Sequence, residues 1–423
     1  MGYYRFLSNE QVSLGELSLS LSNHCQQQVK GLHVLALNDT SEINLQAHAG
    51  RLKPEDLGVV GNDKDLGFFI HPTLVLNAAN GFPLGISHVQ LWNRPIGHLD
   101  KHARNYKQLP IEEKESFKWI EAAAGSQPCF EWGEASCVTY IGDREADIYE
   151  EWARVPQGQT HLLIRASRDR SICESAQGLF AYVGEQPCEG TYSFTVMADA
   201  RKERVGREAW MAVRFVPVQI RRPQRLKDPD YPPTVQLYAV EAREISPPPG
   251  QTPVHWRLLT THPVRCLEHA LEVIRWYTWR WRIEQLFALI KQDGLNLEAT
   301  QLESGKAIQR LCLLALSAAV RVLQLKEGRQ DETQAAAVAF SDAQQQCLTH
   351  LAPRLNGRTS KQQNPYSPLT LAWASWLIAR LGGWSGLPSQ RVPGIGTLFR
   401  GLQQFDSIFR GWSLAHTQDV YTQ

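Results

Sequence analysis

Over the first 165 residues, short apolar runs alternate with stretches of helical spacing. The runs at 32–37, 67–76, 137–141 and 160–164 predict strands, and the spacing at 111–124 and 147–155 predicts helices between them. Apolar strands interleaved with helices point to a mostly buried α/β sheet. Residues 1–30 are polar and mixed, with a helix expected at 12–21. From 166 to 262 the texture changes: 192–197, 210–220 and 235–244 are rich in strand formers, partly alternating, and separated by turn-rich breaks. This predicts an antiparallel β insertion, ending at the stiff Pro247-Pro248-Pro249-Gly250. A strand at 255–260 follows, then helices at 267–292 and 306–327, a polar linker at 352–368, and a Trp-rich helical end at 371–381 and 396–412.

The helix at 267–292 carries the most informative pattern. At about 100° per residue, Tyr277, Arg280, Glu284 and Lys291 fall within a stripe roughly 60° wide. Trp279, Ile283, Leu286 and Ile290 fall on the opposite side. One face is therefore expected to be buried, while the other presents a carboxylate flanked by two cations and a phenol. An amphipathic helix with an Arg280–Glu284 surface pair would give the same pattern. The alternative is a metal-ligating Glu284, with Tyr277, Arg280 and Lys291 holding phosphate oxygens beside it.

Two aspartates stand where matching ligands belong. Asp39 follows the apolar run 32–37, and Asp143 follows the run 137–141, with Arg144-Glu145-Ala146-Asp147 opening a helix behind it. Sites in open α/β sheets form beyond the strand C-termini, and two-metal phosphoryl chemistry needs about three carboxylates from different elements. Taken singly, Asp143 reads equally as a helix N-cap and Asp39 as an Asx-type turn with Thr40; their agreement with Glu284 favours a shared site.

Composition narrows the picture. The chain has 423 residues, which suggests two or three domains at about 100–200 residues each. Its 44 Lys+Arg and 43 Asp+Glu leave a net charge of +1, which excludes a protein that grips nucleic acid by bulk positive charge; any polyanion site must be local. Cations do concentrate at 199–228, where Arg201, Lys202, Arg204, Arg207, Arg214, Arg221, Arg222, Arg225 and Lys227 face Asp199, Glu203, Glu208 and Asp228. That segment reads either as a solvated hairpin face or as a track for a DNA backbone. The eight cysteines are dispersed with no C-x-x-C pair, so reduced, mostly buried thiols are expected, with a zinc site from distant Cys and His as the minority reading. The longest apolar run, 311–320, is short of the roughly 20 residues of a membrane span, and the start has no signal-peptide pattern. A cytoplasmic protein without a membrane partner is expected. A two-carboxylate glycoside hydrolase is disfavoured, because the cations around Glu284 would hold it ionised.

The spacing Tyr277-x2-Arg280-x3-Glu284-x6-Lys291 resembles the tyrosine–arginine–glutamate–lysine signature of the insertion-sequence-four family of bacterial DDE transposases. The words around it are similar to the Tn-five (insertion sequence fifty) branch: Asp39-Thr40-Ser41, Asp143-Arg144-Glu145-Ala146-Asp147-Ile148, Tyr4-Arg5-Phe6, Glu113-Lys114-Glu115-Ser116 and Ala379-Arg380-Leu381-Gly382-Gly383. The resemblance implies an α/β fold: a ribonuclease-H-like mixed sheet core with an antiparallel β insertion and an all-helical C-terminal segment. The corresponding division is a remnant helical segment at 1–30, a catalytic core at 31–165 and 255–330, the insertion at 166–254 and a dimerisation segment at 331–423.

It further implies that Asp39, Asp143 and Glu284 are the catalytic ligands of two Mg²⁺ ions, with Mn²⁺ able to substitute. The chemistry would be phosphodiester hydrolysis and strand transfer on double-stranded DNA, at transposon ends and target, through a DNA hairpin. Trp256 would stack on a base flipped out during hairpin formation, and Arg165 would meet the terminal phosphates; otherwise they read as a core aromatic and a surface cation. A homodimer in a synaptic complex, on the bacterial nucleoid, would be the working assembly. Members of the branch carry an end-binding region before the Tyr-Arg-Phe segment, whereas here only Met1, Gly2 and Tyr3 precede it. A truncated, catalytically idle form that regulates transposition by dimerising with full-length protein is therefore the alternative expectation.

Overall fold

The computed structural model describes residues 2–53, 56–61, 63–97, 109–199, 204–292, 294–387 and 389–416. Its centre is a mixed sheet built from strands β1 (His33–Asn38), β4 (Asp65–Asn77), β6 (Cys137–Gly142) and β7 (Thr160–Arg165). β1 pairs antiparallel with β4 and parallel with β6, and β6 pairs parallel with β7. Beyond β4 lie β2 (Ser41–Asn44), β3 (Gly58–Val60) and β5 (Pro83–Trp92), all antiparallel to it. On the other side, β11 (His255–Thr260) pairs with β7 and continues through β10 (Thr234–Glu244) and β9 (Arg207–Arg221) to β8 (Gly190–Val196). The β-rich insertion thus extends the central sheet edgewise, giving eleven strands among the described residues. This mixed α/β arrangement is compatible with a ribonuclease-H-like core.

Central strands are apolar on both faces because helices cover them. Leu35, Leu37, Ile70, Leu74 and Leu76 are fully buried. α2 (Leu14–Gln26) starts from a capping box between Ser13 and Glu16. α8 (Gly305–Gly328), capped by Ser304, is apolar nearly all round and is long and apolar enough to cross a membrane, yet 72% of its apolar window is buried inside the protein. It therefore behaves as a central core helix. The C-terminal α9 (Asp342–Leu355), α10 (Leu371–Leu381) and α11 (Ile395–His416) complete the helical layer.

Several expectations are corrected. The helix expected at 111–124 begins only with α3 (Lys118–Trp132): Pro110 precedes two 3₁₀ turns, separated by Lys114 in extended backbone. The helix at 147–155 shrinks to α4 (Tyr149–Arg154), because Asp147 is a buried ion-pair partner of Arg170 rather than a helical residue. α9 runs to Leu355, into the stretch read as linker. β2, β3 and β5 had no counterpart among the expected strands. The cysteines expected to be mostly buried divide evenly: Cys25, Cys129, Cys312 and Cys347 are buried, while Cys137 and Cys266 are half-buried and Cys173 and Cys188 exposed, all eight as free thiols.

The single expected helix at 267–292 is two, α6 (Leu267–Trp279) and α7 (Trp281–Lys291), with Arg280 between them. At the junction the Arg280 N–H bonds to the carbonyl of Tyr277, three residues back instead of four.

Candidate active site

Asp39 and Asp143 leave neighbouring parallel strands at the same level. In the β1–β6 ladder Leu37 is opposite Ile141, so each aspartate lies two residues beyond a paired position. Asn38 is still paired with Thr73 on β4, and Ser41 resumes pairing at Ile70. The intervening pair, Asp39 and Thr40, therefore faces Pro72 and His71 outside the ladder. Pro72 has no N–H to give a partner strand, which leaves this gap open. The Thr40 hydroxyl instead lies 2.9 Å from Nδ1 of buried His71.

Both aspartates use one oxygen to hold their own loop. Asp39 Oδ1 accepts from the Thr40 N–H at 2.8 Å, and Asp143 Oδ1 accepts from the Glu145 N–H at 2.8 Å, capping a 3₁₀ turn at Arg144–Ala146. The Asx-type and capping readings are thus geometrically present, and they leave the second oxygen of each carboxylate free of loop work. Gly142 permits this turn: a Cβ there would meet the Cβ of Ala146 at 2.4 Å.

Arg280 joins the third carboxylate to the first. Its guanidinium donates from Nη1 to Asp39 Oδ2 at 2.9 Å and from Nη2 to Glu284 Oε1 at 2.8 Å. The side chains of Arg280, Asp39 and Glu284 are 12%, 22% and 35% exposed, so the group is half-buried. Burial is the main influence on Asp39 and pushes its carboxyl up to about 6; Arg280 draws it down, while the Asp143 and Glu284 carboxylates push it up again. The Arg280 guanidinium is held above its ordinary value by Tyr277, Asp39 and Glu284, against the opposing effect of burial. The three carboxylates do not close on one point: among the described residues the group of potential ligand atoms lying within 4.8 Å of one another is a different one, His33, Cys137 and His262. A guanidinium now occupies the position between Asp39 and Glu284.

Residues 211–321 match the transposase DDE domain family. The match supports a DDE transposase, a metal-dependent enzyme class acting on DNA. It spans Glu284, Arg280, Tyr277, Lys291 and Trp256 but neither Asp39 nor Asp143; the fold alone brings Asp39 to Arg280 and Asp143 near Asp39. Within the matched segment, α7 is anchored by Arg282, which donates to the Gly81 carbonyl at 2.7 Å and to Glu327 at 2.9 Å. Ile283, Leu286 and Ile290 are fully buried as expected. Trp279 is only half-buried, with Arg275 and Arg282 each 5.3 Å from its ring centroid.

Other candidate side chains are placed differently from the expected stripe. Tyr277 is 6% exposed, its ring packed edge-on to Trp256 at 6.2 Å, so it backs the site instead of lining it. Lys291 donates to the Glu42 carbonyl at 2.9 Å and pairs with Glu298 at 3.2 Å, tying α7 to β2. Arg165, at the end of β7, donates to the His255 carbonyl at 3.1 Å. Trp256 also meets Phe194 at 4.9 Å.

The insertion's cations are largely committed: Arg207 pairs with Glu244, Arg214 with Glu241, and Arg221 and Arg222 donate to carbonyls. Arg225 and Lys227 are exposed, while Arg201, Lys202 and Glu203 lie outside the described residues. Two residues around the site had no sequence signal. His71 is fully buried edge-on to Trp119, and Lys118 pairs with Glu145 at 3.2 Å, two residues from Asp143.

Proposed function

We propose that the chain is a cut-and-paste DNA transposase of the insertion-sequence-four type, similar to the Tn-five branch, with Asp39, Asp143 and Glu284 as its metal ligands. The observation carrying this reading is that one arginine joins strand-end Asp39 to Glu284, with the Asp143 carboxylate near enough to Asp39 to push its carboxyl up. The donor set fits a hard divalent cation, being all carboxylate oxygen, half-buried and mutually repelling. Two Mg²⁺ ions, or Mn²⁺ in their place, would activate water or a DNA 3′-hydroxyl for in-line attack and stabilise the leaving oxygen.

The chain's own residues do the positioning. Arg280, which holds Asp39 and Glu284 in the metal-free site, would be free to grip a phosphate bidentately when those carboxylates serve as metal ligands. Lys291 holds α7 and β2 together and adds positive potential behind Glu284. Trp256, supported by the Tyr277 ring, offers a face for an extruded base during hairpin formation, with Arg165 meeting the adjacent phosphate. The C-terminal helices α9 to α11 serve pairing in a homodimeric synaptic complex.

The test is cleavage of linear DNA bearing the terminal repeats that flank the coding sequence, with and without Mg²⁺. Mg²⁺-dependent nicking that disappears in Asp143→Ala supports the reading. Stable DNA-free dimers with no cleavage in either form would overturn it in favour of an idle regulatory partner.

A further inference from the structure

At the opposite end of the strands that carry the aspartates, four elements bring nitrogen and sulfur donors together. His33 opens β1 and Cys137 opens β6, and the two are paired across the parallel ladder. Thr139, two residues along β6 and so on the same face, is paired with His161 of β7. His262 arrives just after β11. One ring nitrogen each of His33 and His262 and the Cys137 sulfur lie within 4.8 Å of one another. The rings are tightly organised: Nε2 of His33 is 2.8 Å and Nε2 of His262 is 2.6 Å from the Thr139 hydroxyl. His161 stacks on His262 at 3.9 Å, and Trp276 of α6 packs against the His33 and His262 rings at 4.9 and 5.1 Å.

We propose that His33, Cys137 and His262 form a zinc-class metal site that clips β1, β6 and the segment after β11 together. Imidazole nitrogen with thiolate sulfur is the donor set of a borderline-soft cation such as Zn²⁺, not of Mg²⁺. Tetrahedral zinc with bonds of about 2.0–2.3 Å sets its donors roughly 3.5 Å apart, so small side-chain rotations close the group. All three residues are half-buried, which allows entry from solvent and a water as fourth ligand. Burial first, and the neighbouring imidazoles second, hold His33 at about 4 and His262 at about 3. Both rings are therefore neutral, the form that ligates. The Cys137 thiol, pushed up to about 11 by burial, stays protonated until a cation displaces its proton to solvent. A chain of hydrogen bonds through Thr139 explains the two histidines but gives Cys137 no part, whereas the metal site uses all three.

The inference is independent of the transposase reading, and one experiment separates them. The full chain is stripped with chelator, reloaded with Co²⁺, and read by absorption; Zn²⁺ content is then measured after desalting. The expected result is about one ion per chain, with intense visible bands of tetrahedral Co²⁺ and a near-ultraviolet thiolate charge-transfer band. Cys137→Ser should lose the charge-transfer band, and His262→Gln should lose bound Zn²⁺. Asp143→Asn should change neither. Cys137→Ser, nearly isosteric, keeps the test valid if His262→Gln does not fold. No bound ion after desalting, or a charge-transfer band that survives Cys137→Ser, would overturn the proposal.

Discussion

His33 and Cys137 begin β1 and β6, and six residues further along each strand stand Asp39 and Asp143. The same pair of strands, over roughly 20 Å at about 3.3 Å per residue, ends in nitrogen and sulfur at one pole and in carboxylate oxygen at the other. The poles also differ in how their charge is handled. At the carboxylate pole, like charges are brought together half-buried, and one guanidinium balances Asp39 and Glu284. At the imidazole pole no ion pair is needed, since burial keeps the rings uncharged and Thr139 joins them. Strand pairing fixes both poles, but only the carboxylate pole stores electrostatic tension.

The sharpest way to break this comparison is to delete one pole and read the other. Asp143→Ala should reduce Mg²⁺-dependent DNA cleavage by about 10³-fold or more, equivalent to at least 4 kcal/mol, while the Co²⁺ spectrum of the other pole stays unchanged. A change in that spectrum would mean that the two ends respond as one unit and the division is false.

Next in size is removal of the balancing cation. In Arg280→Ala the Asp39 and Glu284 carboxylates lose their shared partner. Buried pairs broken this way cost 3–5 kcal/mol and exposed ones little, so this half-exposed group should cost about 2 kcal/mol in urea unfolding without divalent ions. Millimolar Mg²⁺ should restore more stability to the variant than it adds to the parent chain. Equal responses would show that Arg280 and the divalent ion do not share the same carboxylates.

Legibility in the sequence follows the same division. Asp39 and Asp143 could be read because each ends an apolar run, and Glu284 because its helix keeps its spacing to Arg280 and Lys291. The imidazole pole showed only as an unlocated minority reading of a zinc site from distant Cys and His, since His33 and Thr139 are 106 residues apart and Thr139 and His262 123, and only the fold joins them. β2 and β3 are short, and β5 dilutes its apolar residues with Gly85, Ser87, His88 and Gln90, so alternation could not reveal them. Tyr277 was misplaced because periodicity assigns a face relative to one helix, whereas the bulk of Trp256 from β11 covers that face here. The Arg280–Glu284 pair was legible from its spacing of four, but the bridge from Arg280 to Asp39 was not, because Asp39 lies 241 residues away.

A smaller effect tests the loop that presents Asp39. Burial, with Lys118 and His88 adding to it, holds the His71 ring well below its ordinary value of 6.5, and its Nε2 finds no partner among the described residues. His71 is neutral when folded but takes a proton below about 6.5 when unfolded, so the unfolded chain binds more protons there. Stability is therefore complete above that pH and is lost as pH falls, by up to about 1.4 kcal/mol per unit for this one group. The lowered histidines at the other pole add to the slope in the same direction. His71→Gln should thus show a shallower slope of stability against pH, by about half a proton at pH 6.5 rising toward one near pH 5, measured by chemical denaturation across that range. An unchanged slope would place the charge change elsewhere.

The smallest prediction asks whether the poles communicate at all. Thr139→Val keeps the shape of the side chain but removes the hydroxyl that Nε2 of both His33 and His262 touch. Each ring then leaves a half-buried nitrogen without its partner. Lost hydrogen bonds of this kind are worth about 1 kcal/mol each, and less where water can reach the orphaned atom. The zinc-free variant should therefore lose about 1 kcal/mol in urea unfolding. Thr139 lies on β6 four residues before Asp143, so a strand that shifted as a rigid rod would carry the perturbation to the carboxylates. The ladder argues against this: Thr139, Tyr140 and Ile141 are paired on both sides, with β1 and with β7, and a close-packed sheet interior resists sliding of one strand between two neighbours. The Mg²⁺ concentration that half-stabilises the protein should consequently be the same in Thr139→Val as in the parent chain. A shifted midpoint would instead make the imidazole pole a regulator of the carboxylate pole.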